Sequence, residues 1–101
     1  MVALAGTGAA QHARVEVMII DDHKPVLMAD GMPRAPENKT YQIWVKKGDV
    51  PQPSGLFEPE GDTVAVVVEK PLDEGDVIAI TIEPDGGSQQ PTTHPMLTAK
   101  L

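Results

Sequence analysis

Thr40-Tyr41-Gln42-Ile43-Trp44-Val45-Lys46-Lys47 alternates in side-chain character along its length. Tyr41, Ile43 and Val45 fall on one side, and Gln42, Trp44 and Lys46 on the other. A period of two gathers apolar residues on one face of an extended strand, not of a helix. The same period recurs outward from this stretch. Asp76 to Glu83 (DVIAITIE) sets Ile78, Ile80 and Ile82 against Val77, Ala79 and Thr81. Thr63 to Glu69 (TVAVVVE) puts Val64, Val66 and Val68 inward, and Arg14 to Ile20 (RVEVMII) does so with Val15, Val17 and Ile19. Val26 to Ala29 resumes after the turn chemistry of Asp21-Asp22-His23-Lys24-Pro25, a hairpin signal. A short Leu56-Phe57 and a docked C-terminal strand from Met96 to Leu101 complete the set. Between them lie Asp30–Lys39, Gly48–Gly55, Glu58–Asp62, Lys70–Gly75 and Pro84–Pro95, all punctuated by Gly or Pro and read as connections. About seven strands at this spacing predict an all-β, antiparallel, immunoglobulin-like sandwich over residues 14–101.

Composition supports one such domain. The chain has 101 residues, with 11 Val, 6 Ile and 7 Thr against 6 Leu, a balance that favours strands. Its size permits one core and little room for a deep cleft. A formal charge of -7 disfavours a footprint on nucleic acid, which requires a basic patch. The absence of Cys excludes disulfides, thiolate metal sites and cysteine nucleophiles. Met1 to Ala10 (MVALAGTGAA) is apolar and uncharged, too short to span a bilayer and without the basic n-region of a signal peptide. Residues 1–13 therefore read as a flexible leader or a juxtamembrane remnant.

Catalytic and metal chemistry find little support. His23 and His94-Pro95-Met96, with Asp21 or Asp22, offer a metal imidazole, thioether and carboxylate, but their spacing matches no dedicated motif. Polar residues in wet turns account for them better. Glu58, Glu60 and Asp62, and Asp73, Glu74 and Asp76, lack the ligand pattern of a calcium loop and read as a solvated acidic rim. Ser54 and Ser88 stand outside any G-x-S-x-G string. No cofactor is expected, and no enzyme activity. Glu83-Pro84-Asp85-Gly86-Gly87-Ser88-Gln89-Gln90-Pro91-Thr92 is the strongest local string. Its glycines permit a sharp reversal, and its amides with the Ser88 and Thr92 hydroxyls are suited to an anion nest. A loop whose hydroxyls satisfy its own backbone is the reading favoured here.

Three of these strings occur in a telling order. Thr40-Tyr41-Gln42-Ile43-Trp44, then Pro53-Ser54-Gly55-Leu56-Phe57, then Thr81-Ile82-Glu83-Pro84-x-Gly86-Gly87-Ser88-x-x-Pro91-Thr92 resembles the C-terminal domain of RskA-like anti-sigma-K factors. Gly31-Met32-Pro33 is similar to the "GLP" that precedes them in that family. The resemblance implies a bacterial membrane regulator whose cytoplasmic part holds an extracytoplasmic-function sigma factor. One membrane helix would join that part to this domain outside the membrane, and regulated proteolysis beginning at a site-one protease would free the sigma factor. It assigns no catalytic residue here. Tyr41, Trp44 and Phe57 are expected in the core, and Gly55, Glu83, Pro84, Gly86, Gly87, Ser88, Pro91 and Thr92 in structural or contact loops. Two rival readings stay open: a small exported metal-binding sandwich using His23, His94 and Met96, and a ligand-binding module with Trp44 as stacking platform.

Overall fold

The computed structural model describes residues 2–6, 13–20, 24–59 and 63–101. Its strands are β1 (Val2–Gly6), β2 (Arg14–Ile20), β3 (Lys24–Asp30), β4 (Lys39–Lys47), β5 (Val50–Phe57), β6 (Thr63–Val67), β7 (Val77–Pro84) and β8 (Leu97–Lys100). All pairings are antiparallel, in the order β5-β4-β7-β8-β1-β2-β3-β6. The order bends at β1: Val2, Ala3 and Leu4 pair with β2, whereas Ala5 and Gly6 pair with β8. One strand thus belongs to both sheets, and the two layers of the sandwich meet along it.

The alternation seen in the sequence fills the space between the layers. Leu4, Val15, Val17, Leu27 and Ala29 come from one sheet, and Tyr41, Ile43, Val45, Phe57, Ile78, Ile80 and Leu97 from the other. Met32, Val68 and Leu72 enter from the connections. Tyr41 stacks on Phe57 with ring centroids 5.3 Å apart, and its hydroxyl donates to the Pro33 carbonyl at 2.7 Å. A buried phenol needs such a partner, so the core ring also ties down the Gly31-Met32-Pro33 connection.

The seven expected strands are present as β2 to β8, and the largest differences from expectation lie at β1 and β5. Val2–Gly6, read as part of a leader outside the sandwich, forms β1, with Leu4 buried in the core. Nothing in an apolar, uncharged run distinguishes an unattached end from a strand paired on both sides. Gly48–Gly55 was expected to be a crossing, yet β5 begins at Val50 and runs through Pro51 and Pro53. β5 stands at the end of the pairing order, where proline withholds no N–H from an inner ladder. Its register with β4 shifts between Ile43, paired to Gly55, and Trp44, paired to Pro53. The skipped residue, Ser54, is buried, donates its hydroxyl to Gln52 and accepts the Glu69 N–H on its carbonyl. That bulge brings the chain after β6 against β5.

Candidate functional site

The polar face of β4 and β7 is covered. Register sets Thr40 opposite Glu83, Gln42 opposite Thr81 and Trp44 opposite Ala79 on the side away from the core. All six are buried, and the loop from residue 84 to 96 folds back to bond Gln42 and Glu83. Trp44 is 1% exposed, whereas Val67 on the other sheet stays 59% exposed.

Glu83 is the centre of this layer, at 0% exposure. Its carboxylate accepts from Thr81 Oγ1 at 2.6 Å, Ser88 Oγ at 2.9 Å, Thr92 Oγ1 at 2.6 Å and the Thr92 N–H at 3.1 Å. Trp44 Nε1 in turn donates to Thr81 Oγ1 at 2.8 Å, so a chain of bonds runs from indole to carboxylate. A buried charge is costly unless donors replace its water. Among the described residues the ion pairs join Lys47 to Asp73 and Asp76, so Glu83 is held by dipoles. Burial pushes its carboxyl upward, but the Thr81, Thr92 and Ser88 hydroxyls and the Thr92 amide outweigh that and hold it below its ordinary value.

Gln42 supplies a second fastening. Its Nε2 donates to Ser88 O at 3.0 Å and its Oε1 accepts the Ser88 N–H at 2.8 Å, so the side-chain amide pairs with the loop as a neighbouring strand would. Between these anchors, the Gly87 N–H bonds Pro84 O at 2.9 Å and Gly86 takes φ +89° as third residue of the turn, the conformation that calls for glycine. Gly87 follows at φ +82°, and a side chain there would meet Leu56 Cδ2 at 2.9 Å and Gln42 Oε1 at 3.1 Å.

This geometry amends the expectation for the loop. The Ser88 and Thr92 hydroxyls were expected to satisfy loop backbone; instead they converge on a carboxylate of the preceding strand. Those hydroxyls hold the protein's own Glu83, while the Gly87 and Ser88 amides go to Pro84 O and Gln42 Oε1. Sequence reasoning singled out Glu83 but missed its burial, and missed Gln42 and Thr81 as partners. The available signal was the Thr81-x-Glu83 spacing on one strand face, with hydroxyls five and nine residues beyond the acid.

The remaining sequence candidates are dispersed. Trp44 is 1% exposed, which counts against a stacking platform. A groove of about 380 Å³ beside it is walled by Pro51, Val77, Pro91, Pro95 and Thr98. His94 is exposed, and the Met96 N–H bonds Ile80 O. Their proposed metal partners Asp21, Asp22 and His23 lie outside the described residues, as do Glu60 and Asp62. Asp76 corrects the picture of a fully solvated rim: it is buried, accepts the Asp73 N–H at 2.9 Å and pairs with Lys47 at 2.5 Å. The Lys47 hydrogen bond, with that of Asp73, holds the Asp76 carboxyl below its usual range, and Asp76 holds the Lys47 ammonium above its own.

Fold and loop together define a small antiparallel sandwich whose most distinctive polar residues fasten one loop across a sheet. Residues 1–96 match the family described as anti-sigma-K factor RskA, C-terminal, and the chain belongs to that family. It is also 37% identical over 90 residues to a Streptomyces griseus protein named as an uncharacterized protein in the phr 5' region. That alignment takes in 89% of this chain and 37% of the relative, so the chain spans well under half of that protein's length. No solved structure matches it at a significant level.

Proposed function

We propose that this chain is the non-enzymatic, extracytoplasmic sensory domain of a membrane-bound anti-sigma factor, and that its folded state governs release of an extracytoplasmic-function sigma factor by regulated proteolysis. The observation that carries this reading is the family match over residues 1–96, joined to what the matching residues do. Tyr41, Trp44 and Phe57 are buried, and Ser88 and Thr92 both donate their hydroxyls to Glu83. Residues committed in this way favour a domain that works by being folded over one that turns over a substrate.

The mechanism follows from the position of β1. A protease binds its substrate as an extended chain with free backbone groups, whereas Val2, Ala3 and Leu4 are paired with β2, and Ala5 and Gly6 with β8. A membrane-proximal stretch continuous with β1 is shielded while the sandwich holds. A stimulus that loosens or binds the sandwich exposes it to a site-one protease, and the sigma factor is released from a cytoplasmic segment on the other side of an adjacent membrane helix. Deleting residues 14–101 from the parent protein should raise basal sigma-dependent transcription and abolish its response to the stimulus. A reporter gene with unchanged basal level and response would overturn the reading.

A further inference from the structure

The two ends of the strand order are built differently. β5 carries Pro51 and Pro53 and a bulge, devices that discourage pairing with another chain. β6, Thr63-Val64-Ala65-Val66-Val67, carries neither proline nor charge. Its hydrogen-bonding phase can be read from one contact. The Val68 N–H bonds Pro25 O, so Val68, Val66 and Val64 turn their backbone groups toward β3. Thr63, Ala65 and Val67 then turn theirs outward. The Val67 carbonyl already lies against Gly55 of β5, and the next outward amide, that of Glu69, is taken by Ser54, so the open stretch runs from Thr63 to the Val67 N–H.

The sheet face reached from this edge is apolar at its centre and charged at its rim, where Glu16 and Asp30 outnumber Arg14. Val67 and Ala65 lie beside Val26 and Met28 of β3, and these beside Met18 and Glu16 of β2. Met28 is 43% exposed and Val67 59%. A groove of about 230 Å³ opens there, with Met18 and Met28 as walls and Arg14, Glu16, Asp30 and Thr63 around them. Asp30 sits opposite Thr63 and accepts its hydroxyl at 3.3 Å, and Glu69 follows the other end of β6. Among the described residues neither Glu16, Asp30 nor Glu69 has an ion-pair partner.

We propose that the outer edge of β6 accepts an extended segment of a partner protein as an added strand, one with alternate apolar residues and basic ends. Its backbone completes the ladder at Thr63, Ala65 and the Val67 N–H, and its apolar side chains extend the Met28–Val67 face. Lysine or arginine lays its stem between Met18 and Met28 and its charge beside Glu16 and Asp30. Charge selects against a second copy of this chain. Antiparallel pairing of β6 with itself about Ala65 brings the Asp30 corner of one copy to the Glu69 corner of the other at both ends, in a molecule of charge -7.

A short synthetic peptide of alternating valine and threonine, with lysines at both ends, is titrated into the domain and followed by calorimetry and backbone amide NMR. Saturable binding is expected, with shifts centred on Thr63–Val67 and Met28. Ala65→Pro removes an outward amide that the domain itself does not use, and should weaken binding by about tenfold or more. Unchanged amide positions away from β6 verify that this variant folds. If it does not fold, peptide N-methylated at alternate residues and mixed with the unaltered domain should bind as poorly. Replacing the terminal lysines with glutamates should weaken binding by about tenfold at low salt. The proposal is overturned by absent saturable binding, by equal binding of the Ala65→Pro variant or the N-methylated peptide, by equal binding of the glutamate peptide, or by a β6-mediated dimer in sedimentation. None of these outcomes depends on sigma-factor release, so the test is independent of the regulatory role.

Discussion

Gly86 and Gly87 are adjacent and both have positive φ, yet their surroundings set them apart. Nothing lies within 4 Å of where a Gly86 side chain would begin. Gly86→Ala should therefore cost the backbone strain of a non-glycine residue in that region, about 1 kcal/mol. Gly87→Ala adds a collision. Leu56 is 42% exposed and its end can yield, but Gln42 Oε1 is fixed by its bond from the Ser88 N–H. Relieving that contact pulls Gln42 from the loop, so the cost should rise to about 2–4 kcal/mol. Urea unfolding of the two variants checks the order; equal losses would mean that the Gln42 clamp contributes little.

Among the elements, β1 carries the sharpest consequence for where the domain starts. Leu4 is 6% exposed and packs in the common core, so Leu4→Ala should destabilise the whole domain by about 2–4 kcal/mol. A midpoint unchanged in chemical denaturation would return residues 1–13 to the status of a leader. The strands from Arg14 onward were legible because Val15 and Val17, Tyr41, Ile43 and Val45, and Ile78 and Ile80 repeat with period two. β1 was not, since Val-Ala-Leu-Ala-Gly has no polar alternation to report a solvent face. β5 was hidden by Pro51 and Pro53, whose meaning depends on whether a strand lies at an edge. Of the candidate loop, Gly86, Gly87, Ser88 and Thr92 were legible from turn chemistry. The burial of Glu83 was not, because it depends on a register that places Thr40, Gln42 and Trp44 under the same loop. In local sequence a glutamate at a strand end before Pro84 looks solvent-facing.

At the level of the whole molecule, acid should act through the carboxylates that the fold holds ionised. Folding lowers the Glu83 carboxyl below its ordinary 4.5, so its contribution is complete above that value and is lost as pH falls through the folded value. Asp76, also lowered, adds a loss in the same direction. Glu83→Gln removes the first of these. That variant should be less stable than the parent at neutral pH, by about 1–3 kcal/mol, and its stability should fall less between pH about 5 and pH about 3. Thermal unfolding across that interval tests both parts; parallel curves would show that Glu83 does not govern the acid limb. The -7 charge makes self-repulsion relax as carboxylates protonate, which opposes the trend and applies almost equally to both proteins.

The place of β8 bears on the order in which the chain becomes a domain. Leu97–Lys100 lie between β7 and β1, the latter made from the first residues of the chain, and Leu101 exchanges backbone bonds with Gly75 and Asp76. During synthesis the two halves of the sheet order can assemble locally as β4–β7 and β2–β3, but the seam between them waits for β8 to emerge. A chain whose β8 has yet to emerge has both flanks of that seam unpaired. Completion of the sandwich is thereby a report that every strand from β1 to β8 is available.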